Sequence, residues 1–154
     1  MSKLLSIVVP TKNRANCLIS FAKLVGEMND PRVEMVIQDN SDDNSEILGF
    51  LESNKYENIV YNHTPGYLSV VENCDLAVKN STGEYVCFMG DDDLISNRLP
   101  DFVEYMKAFG YESAVFKPSQ YYWPNVKFKA HKFPNLIIKK ILPLRKGDKR
   151  RARA

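Results

Sequence analysis

Short apolar runs alternate along the chain with longer amphipathic stretches. Four of these runs are rich in β-branched and aromatic residues: Ser6–Val9, Met35–Ile37, Ile59–Tyr61 and Tyr85–Met89. Continuous apolar runs of this length are typical of strands that are buried on both faces of a sheet. The pattern therefore predicts strands at these positions, and a fifth strand at Ser113–Phe116.

The stretches between the runs have apolar residues at helical spacing, which predicts four helices. The first spans about residues 15–28, and the second begins at a cap formed by Asp43 and Glu46. The third spans residues 68–79, and the fourth has Pro100 in its first turn and Gly110 beyond its end. The residues predicted to face the core are Leu18, Phe21, Ala22, Val25, Met28, Ile47, Leu48, Leu51, Val70, Val71, Cys74, Ala77, Val78, Phe102, Val103, Met106 and Phe109.

This alternation of strands and helices predicts an α/β fold, with a mostly parallel central sheet flanked by helices. In such sheets, ligands bind outside the carboxyl ends of the strands. The residues that follow each predicted strand are therefore where a site is expected.

Charge divides the 154-residue chain, although its net charge is only +2. Residues 1–126 have ten Lys and Arg against eighteen Asp and Glu, or −8, whereas residues 127–154 have eleven against one, or +10. One acidic globular domain followed by a basic segment is expected. The three cysteines lack metal-like spacing, and the N-terminal apolar run is too short for a signal peptide. We therefore expect reduced, core-facing thiols in a cytoplasmic protein.

Polar residues follow three of the predicted strands, as "PTKNR", "QDNSDDNS" and "GDDD". Lys12 and Arg14 either meet phosphate oxygens or lie on the surface. Asp39 either accepts a hydrogen bond from a nucleobase or forms an Asx-turn, while Asp42 and Asp43 are expected at the cap of the next helix.

The three consecutive aspartates, Asp91, Asp92 and Asp93, offer hard oxygen ligands in a short loop. Such ligands suit Mg²⁺ or Mn²⁺, which proteins usually hold with one or two carboxylates and the phosphates of a substrate. A metal–diphosphate complex is therefore the expected occupant. The alternative is that one aspartate caps the following helix and the others are solvated.

Three stretches in this order, "SIVVPTKNR", "VIQDNSDDNS" and "STGEYVCFMGDDDLI", resemble the family 2 glycosyltransferases of the GT-A fold. The resemblance covers about residues 6–117 and implies that residues 1–117 are a nucleotide-sugar-binding domain. It implies a Rossmann-like GT-A sandwich truncated on the acceptor side. It also implies an inverting, Mg²⁺- or Mn²⁺-dependent transfer of a sugar from a nucleotide-diphosphate donor to a glycan or lipid-linked acceptor.

Matched by motif, the turn of Pro10 and Thr11 would line the nucleobase pocket, and Asp39 would hydrogen-bond the base. Gly90 stands where the commonest family motif has its first aspartate. Either Asp91 with Asp93, or Asp92 with Asp93, would then contact the ribose and the metal. The predicted nucleotide-binding residues are Pro10, Thr11, Asn13, Arg14, Asp39, Asn73, Asp91 and Asp92, and the predicted metal ligands are Asp91, Asp92 and Asp93.

Two features of the family are missing from this sequence. The arginine that is frequent on the third helix is absent, with Glu72 and Asn73 nearby. The family's general base follows the matched region, but the one acidic residue after residue 117 is Asp148, in the basic run "RKGDKRRARA". No catalytic residue is therefore assigned.

Residues 118–154 begin with an aromatic stretch, "PSQYYWPNVKF", and end in the basic run. The aromatic part is predicted to be a hairpin or lid. The basic part is either a disordered tail or a segment that lies on anionic lipid at the inner face of the membrane. Nothing in the segment beyond its charge supports nucleic-acid binding.

Two alternatives to a transferase stay open. One is a donor-binding module that holds nucleotide and metal without transferring sugar. The other is a sugar nucleotidyltransferase, which is disfavoured because "PTKNR" replaces a glycine-rich phosphate loop after the first strand.

Overall fold

A computed structural model describes residues 3–115 of the chain. The chain divides into two compact units, Met1–Tyr105 and Met106–Ala154, and the sheet lies in the first. The elements are β1 (Leu5–Thr11), α1 (Ala15–Met28), β2 (Val33–Asp39), α2 (Ser45–Asn54), β3 (Ile59–His63), α3 (Val70–Lys79), β4 (Tyr85–Phe88) and α4 (Leu99–Ala108). The predicted lid and basic segment lie outside the described residues.

The four strands form one parallel sheet in the order β3-β2-β1-β4. The two central strands, β1 and β2, are buried along almost their whole length, as the continuous apolar runs predicted. The outer strands are different, since Val60, Val86 and Phe88 are exposed. The predicted α/β architecture with a parallel sheet is confirmed, but burial on both faces holds only for the central strands.

The larger core lies on one face of the sheet. Side chains from alternate positions of β1 and β2 pack there against α1, α2 and α4, and the buried members are Leu5, Ile7, Val9, Leu18, Phe21, Ala22, Val25, Val33, Met35, Ile37, Ile47 and Val103. Burying an aliphatic side chain of this size stabilises a fold by about 1.5–3 kcal/mol. This apolar layer therefore holds the strand ends in fixed positions.

The opposite face of the sheet, which α3 covers, is largely polar. Its buried apolar cluster contains only Val8, Val36 and Ala77. Beside it, the buried Glu34 accepts hydrogen bonds from Ser6 Oγ (2.5 Å) and from Thr82 N and Oγ1 (2.6 and 3.0 Å). Hydrogen bonds therefore hold the amino ends of β1 and β2 to the turn that precedes β4.

The stripe predicted for the core face of α3 is wrong at its three valines. Val70, Val71 and Val78 are exposed, whereas Ala77 is buried as predicted and Asn73 is buried beside it. The helix begins with a capping box, in which Ser69 Oγ accepts from Glu72 N and the Glu72 carboxylate accepts from Ser69 N. Hydrogen bonds to the carboxylate from the Ser69 hydroxyl and from Ser69 N hold the Glu72 pKa below its usual value. The orientation of α3 is therefore set by the hydrogen bonds of Asn73 and by the polar face of the sheet. The apolar residues of the helix do not set it.

Smaller corrections concern the other helices and the C-terminal end of the described region. Leu48 of α2 and Phe109, beyond α4, are exposed rather than buried. Asp43 accepts from Ser45 N in an Asx-turn, but the predicted box with Glu46 does not form, since the N-cap is Asn44. Residues 113–115 form no strand, and Phe116 lies outside the described residues.

Among residues 3–115, no helix has the length and apolar character that crossing a bilayer requires. The three cysteines are free, as expected, but each is partly buried and none belongs to the fully buried core. Burial raises the pKa of the Cys87 thiol, which packs against the larger core.

Candidate functional site

Three strand ends bring the site together at the carboxyl edge of the sheet. Thr11, the last residue of β1, pairs in register with Asp39, the last residue of β2. On the other side of β1, β4 ends at Phe88 and leads directly into Gly90 and the aspartates. Residues far apart in sequence therefore meet where parallel sheets bind ligands.

Thr11, Arg14, Asp91 and Asp92 form one connected group. Thr11 Oγ1 donates a 2.7 Å hydrogen bond to Asp91 Oδ2. One terminal nitrogen of the Arg14 guanidinium lies 2.9 Å from Asp91 Oδ1, and the other lies 2.7 Å from Asp92 Oδ2. The β1–α1 loop thereby contacts two of the three predicted metal-binding carboxylates.

This grouping changes the charge balance of the site. Hydrogen bonding and charge from Arg14 hold the Asp92 pKa below its usual value, and the same contacts with Asp92 and Asp91 raise the pKa of Arg14. Both groups are therefore fully ionised at neutral pH. The guanidinium offsets part of the repulsion among three adjacent carboxylates.

Asp93 does not join the other two. Its Oδ2 accepts from the backbone N–H of Gly90 at 3.0 Å, which closes a tight turn. A methyl group at Gly90 would lie 3.0 Å from Asp92 Oδ1 and 3.1 Å from Asp93 Oδ2. A side chain at this position would therefore push these two carboxylates outward.

Within residues 3–115, no group of three or more carboxylate, histidine or cysteine side chains converges on one point. The predicted three-aspartate metal site is therefore not assembled by the chain's own contacts. Asp92 and Asp93 nevertheless present hard oxygens around the space that Gly90 leaves. Such a donor set suits a magnesium-like ion, because that ion takes one or two carboxylates and completes its shell with phosphates.

Asp39 is buried at the end of β2, and both of its carboxylate oxygens are engaged. Oδ1 accepts from Ser41 N at 2.8 Å, which is the Asx-turn alternative, and Oδ2 accepts from the Tyr61 hydroxyl at 2.8 Å. Burial, together with the Asp39 carboxylate, raises the pKa of Tyr61, so the hydroxyl remains a donor. Each carboxylate oxygen still has a second lone pair for a further donor.

The predicted residues Asn13 and Asn73 also make structural contacts. Asn13, at a φ of 55°, donates from its side chain to Asp42 Oδ2 at 2.8 Å and accepts from Asp42 N at 3.0 Å. Asp42 therefore joins the β1–α1 loop instead of capping α2. Asn73 is buried on α3. Asn73 Nδ2 donates to the carbonyls of Thr11 and Gln38, both at 3.2 Å.

Asn73 therefore fixes the spacing between the ends of β1 and β2. The two carbonyls also fix the orientation of the Asn73 amide group. Only its nitrogen can donate to them, so the oxygen lies on the other side. Asn73 Oδ1 is buried and has no hydrogen-bond partner among residues 3–115.

The rim of the site includes two residues that sequence reasoning did not use as a pair. The Lys12 ammonium lies 5.9 Å from the ring centroid of Tyr67, which is 89% exposed. Pro10 lies two residues before Lys12, near the carboxyl end of β1. The sequence analysis also did not predict that Tyr61 and Ser41 hold the Asp39 carboxylate. The sequence feature that could have indicated this role is their position beside strand ends.

Comparison with known proteins identifies the family. The sequence profile of the family described as "Glycosyl transferase family 2" matches residues 6–153, so it extends beyond the stretch in which the motifs are found. No curated protein matches.

A search of solved structures finds similarity to the crystal structure of S. aureus TarS 1-349, with a TM-score of 0.54 and 22% identity. The similarity covers 68% of this chain and 32% of that chain, so the match spans about a third of the length of TarS 1-349. At this identity the likeness supports the shared GT-A-type fold. Together with the profile match, it leads to one assignment: the chain belongs to glycosyl transferase family 2.

Proposed function

We propose that this chain binds a nucleotide-diphosphate sugar, with Mg²⁺ or Mn²⁺, at the carboxyl edge of its sheet. It transfers the sugar to a glycan or lipid-linked acceptor with inversion at the anomeric carbon. The observation that carries the proposal is the contact of Thr11 and Arg14 with Asp91 and Asp92, in a member of a glycosyltransferase family.

The charges at this edge suit a metal-bound diphosphate. Arg14 is 47% exposed and offers guanidinium nitrogens, which bind phosphate oxygens well. Lys12 is exposed on the same loop. Asp92 and Asp93 offer the carboxylates that would hold the ion. When bound, the ion would neutralise charge that builds on the departing diphosphate.

Asp39 is the residue that we propose for base recognition, in a nucleobase pocket that Pro10 and Thr11 would line. Its carboxylate is fixed by Ser41 N and the Tyr61 hydroxyl, so it is already oriented without a ligand. A remaining lone pair would accept a hydrogen bond from a ring N–H of the base. Asn73 acts here by fixing the strand ends, since its Nδ2 is used by the Thr11 and Gln38 carbonyls.

In the transfer, the acceptor hydroxyl oxygen forms a bond to the anomeric carbon as the bond from that carbon to the diphosphate oxygen breaks. The diphosphate leaves with the electron pair, and the hydroxyl proton passes to a general base. None of the described residues is assigned as that base. The basic segment, +10 over residues 127–154, would hold the protein near anionic lipid and so near a lipid-linked acceptor.

Calorimetry tests the binding step. UDP, GDP and dTDP are titrated with and without Mn²⁺ into the wild-type protein and into a variant with Asp91, Asp92 and Asp93 all changed to Asn. We expect one nucleotide to bind best, its affinity to depend on Mn²⁺, and the triple variant to lose most of the metal-dependent part. Undiminished, chelator-insensitive binding to the triple variant would contradict the proposal.

Hydrolysis or transfer of the matching nucleotide sugar tests the chemical step. Release of nucleoside diphosphate supports the transferase. Metal-dependent binding with neither hydrolysis nor transfer would instead support a donor-binding module. Release of pyrophosphate from a nucleoside triphosphate and a sugar phosphate would indicate a nucleotidyltransferase.

A further inference from the structure

Arg14 makes contacts at the site that a metal ion would also make. Its two terminal nitrogens reach two different carboxylates, Asp91 Oδ1 at 2.9 Å and Asp92 Oδ2 at 2.7 Å. A guanidinium that bridges two carboxylates in this way supplies the positive charge that these groups would otherwise take from a cation. Arg14 and a metal ion therefore compete for the same negative charge.

The two carboxylates differ in their freedom to move. Asp91 is 5% exposed, and its other oxygen is held by the Thr11 hydroxyl. Asp92 is 50% exposed and Arg14 is 47% exposed, so both have room to change partners. The contact between Arg14 and Asp92 is thus the one that can open without disturbing the core.

The backbone around Arg14 favours an anion as the alternative partner. Arg14 is the N-cap of α1, and neither a side-chain cap nor an acidic residue in the first turn satisfies this helix end. The positive end of the helix dipole lies beside the guanidinium and adds to its charge. A diphosphate arriving here would find a guanidinium that can leave the carboxylates for phosphate oxygens.

We propose that Arg14 is an internal counter-ion, which competes with free metal for the Asp92 carboxylate and turns to the diphosphate when the donor binds. This inference rests on the proposed function. Its consequence is selective: free metal binds weakly because it must displace Arg14. Metal that arrives with a diphosphate binds well because the phosphates accept the guanidinium.

The test is a variant whose two effects have opposite signs. In Arg14→Gln, Mn²⁺ alone, measured by electron paramagnetic resonance of the free ion, is expected to bind roughly five- to fiftyfold more tightly, because the competing charge is gone. Metal-free nucleoside diphosphate, titrated in EDTA by calorimetry, is expected to bind more weakly by a similar factor. The nucleotides used are UDP, GDP and dTDP.

Two further variants act as controls. Arg14→Lys keeps one positive charge but cannot bridge two carboxylates with a planar fork, so a smaller gain in Mn²⁺ affinity is expected. Lys23→Gln removes a positive charge from an exposed pair with Glu27 on α1, and neither affinity should change. The urea midpoint of each variant establishes that it is folded.

Unchanged or weakened Mn²⁺ binding in Arg14→Gln, in a protein whose wild type binds nucleotide with Mn²⁺, would overturn the counter-ion role alone. If the wild type binds neither Mn²⁺ nor any of the three nucleotides in either buffer, the proposed function fails and the counter-ion role fails with it.

Discussion

The hydroxyl of Thr11 and the carboxylate of Asp91, 80 residues apart in sequence, are joined by a 2.7 Å hydrogen bond. This bond ties the end of β1 to the turn after β4, and it holds Asp91 in its buried position. The geometry of the aspartate turn therefore depends on a residue of another loop.

Thr11→Val removes the hydroxyl and keeps the shape of the side chain. Because Asp91 is buried, the loss is expected to lower the free energy of unfolding by about 1–3 kcal/mol. Metal-dependent nucleotide binding is expected to weaken as well. Urea unfolding and calorimetry measure the two effects. Thr11→Ser, which keeps the hydroxyl, should stay close to wild type, and equal losses in both variants would contradict the role of the bond.

Asp39→Ala tests base recognition separately from diphosphate binding. We expect affinity for the preferred nucleoside diphosphate to fall about tenfold or more, which corresponds to about 1.4 kcal/mol or more, the loss of a hydrogen bond to a charged group. Affinity for inorganic pyrophosphate, which has no base, should change little in the same calorimetric experiment. An equal loss of affinity for both ligands would contradict base recognition and would show that Asp39 has only a structural role.

Asn73→Ala tests the link between the ends of β1 and β2. Two buried carbonyls, of Thr11 and Gln38, would lose their side-chain donor, so the free energy of unfolding is expected to fall by about 1–3 kcal/mol. Nucleotide affinity should fall too. The control is Asn80→Ala at the exposed end of α3, where one bond to Gln38 Oε1 is lost. In Asn80→Ala, urea unfolding should show a decrease of no more than about 1 kcal/mol in the free energy of unfolding.

Glu34→Ala tests the polar face beneath α3. One oxygen of the carboxylate, Oε1, accepts from Ser6 Oγ and from Thr82 N and Oγ1. We expect a loss of about 1–3 kcal/mol in the free energy of unfolding by urea, because these donors lose their acceptor. Glu27→Ala, on the exposed face of α1, should cost little. Nucleotide binding should survive in both, because Glu34 lies at the amino ends of the strands.

The pH dependence of stability is predicted to include Asp30. Hydrogen bonds from the Arg32 side chain hold the Asp30 pKa below its usual value. Since the folded-state pKa is lower than the unfolded one, the ionised carboxylate stabilises the fold above the ordinary aspartate pKa. That contribution is lost as the pH falls through the folded-state pKa. The free energy of unfolding, measured from pH 6 to pH 2, should therefore fall less steeply in Asp30→Asn.

The same guanidinium also pairs with Asp101 and Glu104, at 2.9 and 2.6 Å. Both carboxylates are largely exposed, and such pairs contribute about 0–1 kcal/mol. Asp101→Asn should therefore leave the acid slope nearly unchanged. A slope that changes more in Asp101→Asn than in Asp30→Asn would contradict the assignment.

The fold was predictable because each of its central strands contains a continuous apolar run. Leu5–Thr11 and Val33–Asp39 contain runs that the sequence pattern marks clearly, and the elements between them have helical spacing. Once strands and helices alternate, the parallel sheet and the location of its ligand edge follow from general rules. The convergence of Thr11 with Asp91 at that edge was expected for this reason.

The orientation of α3 was not predictable, because polar contacts decide it. Apolar content placed Val70 and Val71 inside, but the sheet face that meets this helix has Glu34 and Gln38, which bond to other polar groups. A pattern of apolar residues carries no information on which asparagine will meet two strand-end carbonyls. The pairing of Arg14 with Asp91 and Asp92 was missed likewise, because it depends on side-chain positions.

Crystals grown with Mn²⁺ and the preferred nucleoside diphosphate give the most direct test, through anomalous scattering of the manganese. We predict a manganese peak in direct contact with a carboxylate oxygen of Asp91, Asp92 or Asp93, the diphosphate bound to that ion, and the base beside Asp39. A bound nucleotide whose diphosphate lies away from the aspartate turn, with no manganese there, would contradict the proposed site.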